Sequence, residues 1–448
     1  MKFLPLNYLV LTVLFLEGCA TVPKPEPIGE VVSLIKQQYV DDVPYDKLVA
    51  GCRNGIKRDW GWSPDSRQLI ENKPTDSTSV LLDIAEILTA FKQQSPEFKG
   101  DNKLETSCLK GIANLDRQSA FLDEEDFKEL TYTGGSIGIE YSIETDFPKI
   151  TSIMEDSPAE RAGLKAGDII ISIDLVSTKG LSLDKILKLV RGTAGTNTIL
   201  TVERMGTKEP IKLTMQRDVV RAQSVKWQSL GSGFAYIRIE RFQASTPSLF
   251  AKAIDKLYVE DGRKIRGLIL DLRNNLGGLL TGSIAISSAF LPSGSLVTYA
   301  TGRTPESNVQ LTATPADYGH DDNADAFRDL PADLKTAPLV VLVNKATCSG
   351  AEIVAAALQD HKRAKLVGTR TFSQGTIATI FPLNNKTALK LTTAKLYRSS
   401  GIAINEGVMP DTKIEADNLT TADFRTAGDM QFNEAFKQLK EVASSRDR

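Results

Sequence analysis

The segment Thr347-Cys348-Ser349-Gly350-Ala351-Glu352-Ile353 sets a small hydroxyl between two apolar runs, Leu339-Val340-Val341-Leu342-Val343 and Ile353-Val354-Ala355-Ala356-Ala357-Leu358. The first run reads as a short buried strand and the second as a buried helix, so Ser349 falls at a helix N-terminus. Free backbone N–H groups and the positive dipole end gather there, which suits a serine whose attack creates an oxyanion. Serine also caps helices at this position, so Ser349 reads either as a nucleophile or as a cap. A second strand and loop, Gly267-Leu268-Ile269-Leu270-Asp271-Leu272-Arg273-Asn274-Asn275-Leu276-Gly277-Gly278, weighs toward chemistry. In open α/β sheets the active crevice lies beyond the carboxyl ends of the strands, where both loops fall. The pair Gly277-Gly278 offers the unobstructed N–H groups that an oxyanion hole needs.

With these residues in view, the chain resembles the carboxyl-terminal processing (tail-specific) serine peptidases, built on a ClpP/crotonase-like core. The resemblance rests on Asp271 to Gly278, on Ser349 three residues before Glu352, and on Leu358-Gln359-Asp360. It continues through Leu366-Val367-Gly368, Thr371-Phe372, Leu389 to Ala394 and Gly407-Val408-Met409-Pro410-Asp411. It implies that Ser349 is the nucleophile, that Gly350 N–H and one of Gly277 or Gly278 hold the oxyanion, and that no cofactor or metal is needed.

One departure bears directly on the chemistry. The family pairs its serine with a lysine in a Thr-Phe-Gly-Lys-Gly context, and that lysine aligns with Gln374 in Thr371-Phe372-Ser373-Gln374-Gly375. The family's helper glutamine aligns with Ala378. Glutamine has no titratable nitrogen, so the usual dyad cannot operate. Two readings of function follow. Another base has moved in, with Lys390, Lys395 and His361 the nearest in sequence, or the chain is a catalytically impaired peptidase that binds through a PDZ domain.

That PDZ domain is the second resemblance, in residues 131–217. Gly135-Ser136-Ile137-Gly138-Ile139-Glu140, followed by Pro158, Gly163, Gly167 and Asp168, resembles the PDZ type found in this family. Ser136, Ile137, Gly138 and Ile139 would then present backbone N–H groups to the carboxylate of a protein or peptide C-terminus, which adds as an extra strand. Leu183 to Arg191 fits the helix lining that groove, and Asn197 to Val202 the strand after it.

The chain has 448 residues, enough for several domains, and its formal net charge of −2 argues against nucleic acid as a general partner. No zinc spacing, nucleotide-binding glycine loop or flavin signature is present. At the start, Lys2 precedes an apolar run from Phe3 to Phe15, which reads as an export signal. The run closes at Leu16-Glu17-Gly18-Cys19, which resembles a bacterial lipoprotein box with Cys19 as the lipidated residue; an ordinary secretory signal is the alternative. Pro23, Pro25 and Pro27 then form a short tether, placing a lipid-anchored body on the periplasmic side of a bacterial envelope. Export makes disulfides admissible. Lys47-Leu48, Cys52 and Gly55-Ile56 recur as Lys103-Leu104, Cys108 and Gly111-Ile112, so two similar helical pieces lie side by side, with Cys52 and Cys108 either paired or free. Cys348 reads as a small core-facing residue.

The organisation that results is an α+β multidomain chain. A lipoprotein-type signal occupies 1–19 and an N-terminal helical region with an inserted segment 20–130. The PDZ domain spans 131–217, a ClpP/crotonase-like α/β core 218–415 and a C-terminal helix 416–448. Within the insertion, Trp60 and Trp62 read as local core and the stretch near Val80 to Phe91 as a helix. Residues 301–337 read as a polar, proline-bearing loop. Phe432, Phe436 and Leu439 fall at helical intervals and predict a helix packed on the core.

Overall fold

A computed structural model describes residues 27–62, 74–95, 101–130, 134–143, 146–154, 157–219, 224–262, 264–319, 325–384, 386–415 and 424–446. The expected export signal, Cys19, Pro23 and Pro25 lie outside these residues, as do residues 320–324, whereas Pro27, expected in the tether, opens the first helix, Pro27–Gln38. The chain divides into two compact units: Met1–Glu129 together with Trp227–Arg448, and Leu130–Lys226.

The larger unit is built on a six-stranded sheet. Its strands run in the order Thr412–Lys413, Lys365–Gly368, Leu339–Val343, Gly267–Asp271, Phe234–Ile239, Val225–Gly231, with the first five parallel to one another. Gly267–Asp271 and Leu339–Val343 are buried along their whole length, as continuous apolar strands in a covered parallel sheet must be. On one face the helix Met430–Arg446 seats Phe432, Ala435 and Leu439 against Ile269, Val340, Leu342 and Val367, as the spacing predicts. Gly267 is needed at this contact, because a β-carbon there would lie 2.8 Å from Leu439 Cγ.

A second sheet joins Ala120–Leu122, Ala388–Arg398, Leu296–Gly302 and Val309–Thr312, with Thr376–Pro382 also paired to Ala388–Arg398. The first of these strands belongs to the helical region, which is thereby sewn into the same unit as the core. Four helices, Pro27–Gln38, Tyr45–Trp60, Ser77–Gln94 and Asp101–Ala113, share one apolar cluster. Cys52 and Cys108 are joined by a disulfide with Cα atoms 4.1 Å apart. The helices that carry them meet at Gly51, Gly55 and Gly111, where a β-carbon on Gly51 would lie 2.8 Å from the Gly111 carbonyl oxygen. Trp60 and Trp62 pack edge-on to Phe91 at 6.3 and 5.4 Å, inside the inserted segment.

The segment 301–337 is not the loop its composition predicts. It carries the strand Val309–Thr312 and short helices at Pro315–Tyr318 and Asp333–Thr336. Asp317 explains part of the difference, since its carboxylate accepts from Thr312 N–H at 2.7 Å and so closes a local turn.

The smaller unit is a six-stranded antiparallel sheet in the order Ile139–Ile143, Pro148–Ile153, Ile169–Ile173, Asn197–Glu203, Ile211–Gln216, with Val176–Ser177 also paired to Ile169–Ile173 and the helix Leu183–Val190 over its core. Ile139–Ile143 is an edge strand, with one side unpaired within the sheet.

Candidate active site

Ser349 sits between strand Leu339–Val343 and helix Gly350–Asp360 with φ +53° and ψ −118°. Side chains avoid that region, at a cost of about 1–3 kcal/mol, so surrounding structure must hold the turn in place. Glu352 holds it. Its carboxylate, fully buried, accepts from Ser349 N–H at 2.9 Å, Ser373 N–H at 2.8 Å, Gln374 N–H at 2.9 Å and the Thr371 hydroxyl. One buried charge thus binds the serine turn to the 371–374 loop, with its lone pairs satisfied by four donors. Sequence reasoning used Glu352 only as a spacing marker, and no pattern in the sequence reveals the four donors.

The oxyanion loop approaches from the neighbouring strand. A β-carbon on Gly277 (φ +91°) would fall 2.7 Å from the Ser349 β-carbon and 2.9 Å from Gly350 N, so only glycine fits. Gly278 is pressed against the Phe242 carbonyl in the same way. Of the expected donors, Gly277 N–H is committed to Asn275 Oδ1 at 2.8 Å. The N–H groups of Gly278 and Gly350 carry no hydrogen bond among the described residues. Three apolar side chains stand on the adjoining backbone with much of their surface open: Leu276 at 61 %, Leu279 at 48 % and Phe372 at 50 % exposure. Phe372 N–H donates to Thr347 O at 2.9 Å, which fixes its place beside the serine turn.

Gln374 does not face Ser349 through a hydrogen bond. Its Oε1 accepts from Cys348 Sγ at 3.1 Å. Cys348 is buried, and burial, reinforced by Glu352, pushes its thiol up to about 11, so at neutral pH it is a protonated donor and not a competing nucleophile. The other basic residues considered stand elsewhere. His361 caps the far end of the 11-residue helix, on the order of 16 Å along its axis, and its Nε2 meets Leu296 O at 2.8 Å. Lys395 Nζ pairs with Asp41 at 2.7 Å. Lys390 lies in the second sheet opposite Ala120 and Ile380. No lysine, arginine or histidine nitrogen is hydrogen-bonded to Ser349 among the described residues. Ala378 lies opposite Thr392 in the second sheet.

Behind the oxyanion loop, Arg273 is fully buried. It pairs with Asp271 at 2.7 Å and Asp429 at 2.8 Å, reaches Gln431 Oε1 at 3.2 Å, and lies 3.9 Å from the centre of the Phe424 ring. Tyr236 Oη closes the network on Asp271 at 2.7 Å.

In the smaller unit the carbonyls of Ile137 and Gly138 accept from Ala159 and Met154, each at 2.9 Å. The N–H groups of Ile137 and Gly138 bear no hydrogen bond among the described residues, whereas Ser136 N–H is committed to Asp218 O at 2.8 Å. Ile139 opens the edge strand. Arg217, which sequence reasoning passed over, caps the groove helix by donating to Leu189 O at 2.9 Å and Val190 O at 3.0 Å while pairing with Asp174 at 3.0 Å. This places a cation at the carbonyl end of the helix, where it is favoured.

Comparison with known proteins agrees with this arrangement. Residues 233–414 match peptidase family S41 and residues 149–204 match the PDZ domain. A carboxy-terminal-processing protease of Bartonella bacilliformis is 33 % identical over 357 residues, spanning 78 % of each chain. A carboxyl-terminal-processing protease of Synechocystis sp. is 36 % identical over 320 residues, 69 % of this chain and 70 % of that one. A solved structure from Bacteroides fragilis, assigned to the S41 proteases, superposes with TM-score 0.50 over 94 % of this chain and 99 % of its own at 17 % identity, and so speaks for the fold alone. A serine on a strained turn, a double-glycine loop packed against it and a PDZ unit thus occur together in a chain that belongs to peptidase family S41, among the carboxyl-terminal processing serine proteases.

Proposed function

We propose that this chain is a serine-type carboxyl-terminal processing endopeptidase of the bacterial envelope, with a slow chemical step because position 374 is an amide. The observation that carries this reading is the strained Ser349 turn beside two uncommitted N–H donors, Gly350 and Gly278. Ser349 Oγ would attack the scissile carbonyl, and the carbonyl oxygen would take up the charge in front of those donors. Leu276, Leu279 and Phe372 would receive apolar side chains of an unfolded substrate. The loop at Ile137 and Gly138 would hold the substrate's terminal carboxylate, with the chain added to the edge strand Ile139–Ile143. With the Gln374 carbonyl engaged by Cys348, the serine proton would pass to water, forfeiting the roughly 10²–10⁴-fold that a positioned base contributes. Cys19 would carry the lipid that holds the protein at the membrane, and Cys19→Ser would move it to the soluble fraction.

A second reading, a PDZ binding protein that no longer cuts, rests on one observation: among the described residues no basic nitrogen is hydrogen-bonded to Ser349. One experiment separates the two: cleavage of an unstructured protein by wild type, Gln374→Lys and Gln374→Lys with Ala378→Gln, with Ser349→Ala as blank. Slow wild-type cleavage that disappears in Ser349→Ala supports the peptidase. Wild-type activity equal to the blank leaves the binding reading. A peptide pair tests the groove: amidation of the C-terminus should weaken binding about tenfold or more, the loss of a hydrogen-bonded charge, and equal affinity refutes carboxylate capture.

A further inference from the structure

We propose that Cys348 and position 374 act as a coupled pair, in which the Cys348 sulfur determines what a side chain at 374 can do for Ser349. The inference rests on the reading of Ser349 as nucleophile and names a positioning residue for it. The backbone at 374 is fixed from both sides, since Ser373 and Gln374 donate their N–H groups to Glu352 and Leu396 N–H is bonded to Gly375 O at 2.9 Å. From that anchored backbone the side chain emerges against Cys348 Sγ, 3.1 Å from Gln374 Oε1. An amide carbonyl suits the place, because it satisfies a buried thiol donor without holding a charge.

A lysine at 374 meets a different situation. Its amine would face an S–H group whose proton it can take, giving ammonium and thiolate, or whose hydrogen bond it must accept. A lysine nitrogen in the place of the amide would take over the 3.1 Å contact with the sulfur, so the two groups titrate as a coupled pair and not one by one. In either form the nitrogen lone pair that should receive the Ser349 proton is occupied. In the ionised form a thiolate also stands one residue from Ser349, next to the Glu352 carboxylate, where it opposes an oxyanion. Glu352 is the charged group bonded to both the serine turn and the 371–374 loop. Of the cations nearest in sequence, Lys345 lies 3.9 Å from Glu415 and Arg370 is bonded to the Glu406 carbonyl. Restoring lysine alone is therefore a poor rescue, and removing the sulfur releases it.

The test uses the full chain as Gln374→Lys, Cys348→Ala and the double variant, with Ser349→Ala as blank, on one unstructured protein. The double variant should cleave at least about tenfold faster than Gln374→Lys, with the midpoint of its pH–rate profile lower by about one unit. Independently of activity, ultraviolet absorbance of the thiolate, with Cys348→Ala subtracted, should show the Cys348 midpoint falling by about two units or more from wild type to Gln374→Lys. A thiol midpoint unchanged by the lysine overturns the pairing, as does a Gln374→Lys enzyme equal to the double variant in rate and pH profile. If the midpoint moves but no variant cleaves, the pairing stands and the nucleophile reading of Ser349 fails.

Discussion

The two loops that meet at Ser349 have been kept to different standards. On the oxyanion side every buried charge has partners: Arg273 lies between Asp271 and Asp429, and Tyr236 and Gln431 take up the remaining positions. On the 371–378 side the anchor, Glu352, is equally well satisfied, but the group that should react is an amide bonded to a thiol. The difference teaches that a site's shape and its chemistry are held by different residues. A charge that supports the fold cannot be lost without leaving its partner buried and alone, whereas a base can be replaced by a neutral side chain with little harm to folding. Geometry outlasts reactivity for that reason.

The largest expected effect is at the supporting charge. Arg273→Met leaves Asp271 and Asp429 buried without their cation and should cost about 3–5 kcal/mol in urea unfolding. A loss below about 1 kcal/mol would break the contrast between the two loops. Glu352→Gln, which keeps the shape and removes the charge, should cost about 1–3 kcal/mol and loosen the 371–374 loop, seen as faster amide exchange at Ser373 and Gln374. Ser349→Gly should move the other way, adding about 1 kcal/mol of stability while removing the hydroxyl, because glycine accepts φ +53° without strain. If that variant is less stable than wild type, the turn is not strained.

The smallest effect is a pH dependence. Burial tends to raise the Asp429 carboxyl, but Arg273 and the N–H groups of Phe432 and Arg425 hold it below the ordinary range. A lowered folded value means that this stability is complete above the unfolded value near about 3.9 and is lost as pH falls through the folded one. Unfolding measured between about pH 5 and pH 2 should show this acid limb in wild type and a shallower one in Arg273→Met. Identical limbs in the two proteins would remove Asp429 from the supporting network.

Elements whose periodicity matched their surroundings were legible in the sequence. Leu339–Val343 is apolar throughout because both faces are covered, and Phe432 and Leu439 mark the buried stripe of the last helix. The glycine pair before Leu279 and the serine before Gly350 were legible as a site because each follows a strand. What stayed hidden were partnerships between distant residues. Arg273 and Asp429 are 156 positions apart, and nothing at either place announces the other. The direction of the Gln374 side chain was equally hidden, because the sequence marks the missing lysine but not the thiol that takes its replacement's carbonyl. In 301–337 polar composition hid a strand, since half-buried edge strands tolerate the same residues as loops.

The bond between Cys52 and Cys108 joins residues 56 positions apart and encloses the whole helix Ser77–Gln94. A loop of that size, once closed, is worth about 4 kcal/mol by the entropy of closure. It also makes the inserted segment a covalent bracket. A single backbone cut anywhere inside it leaves both fragments tied together, with the glycine contact between the two helices intact. Such a clipped protein would migrate as one species until reductant is added, so a proteolytic nick in the segment would be tolerated in place.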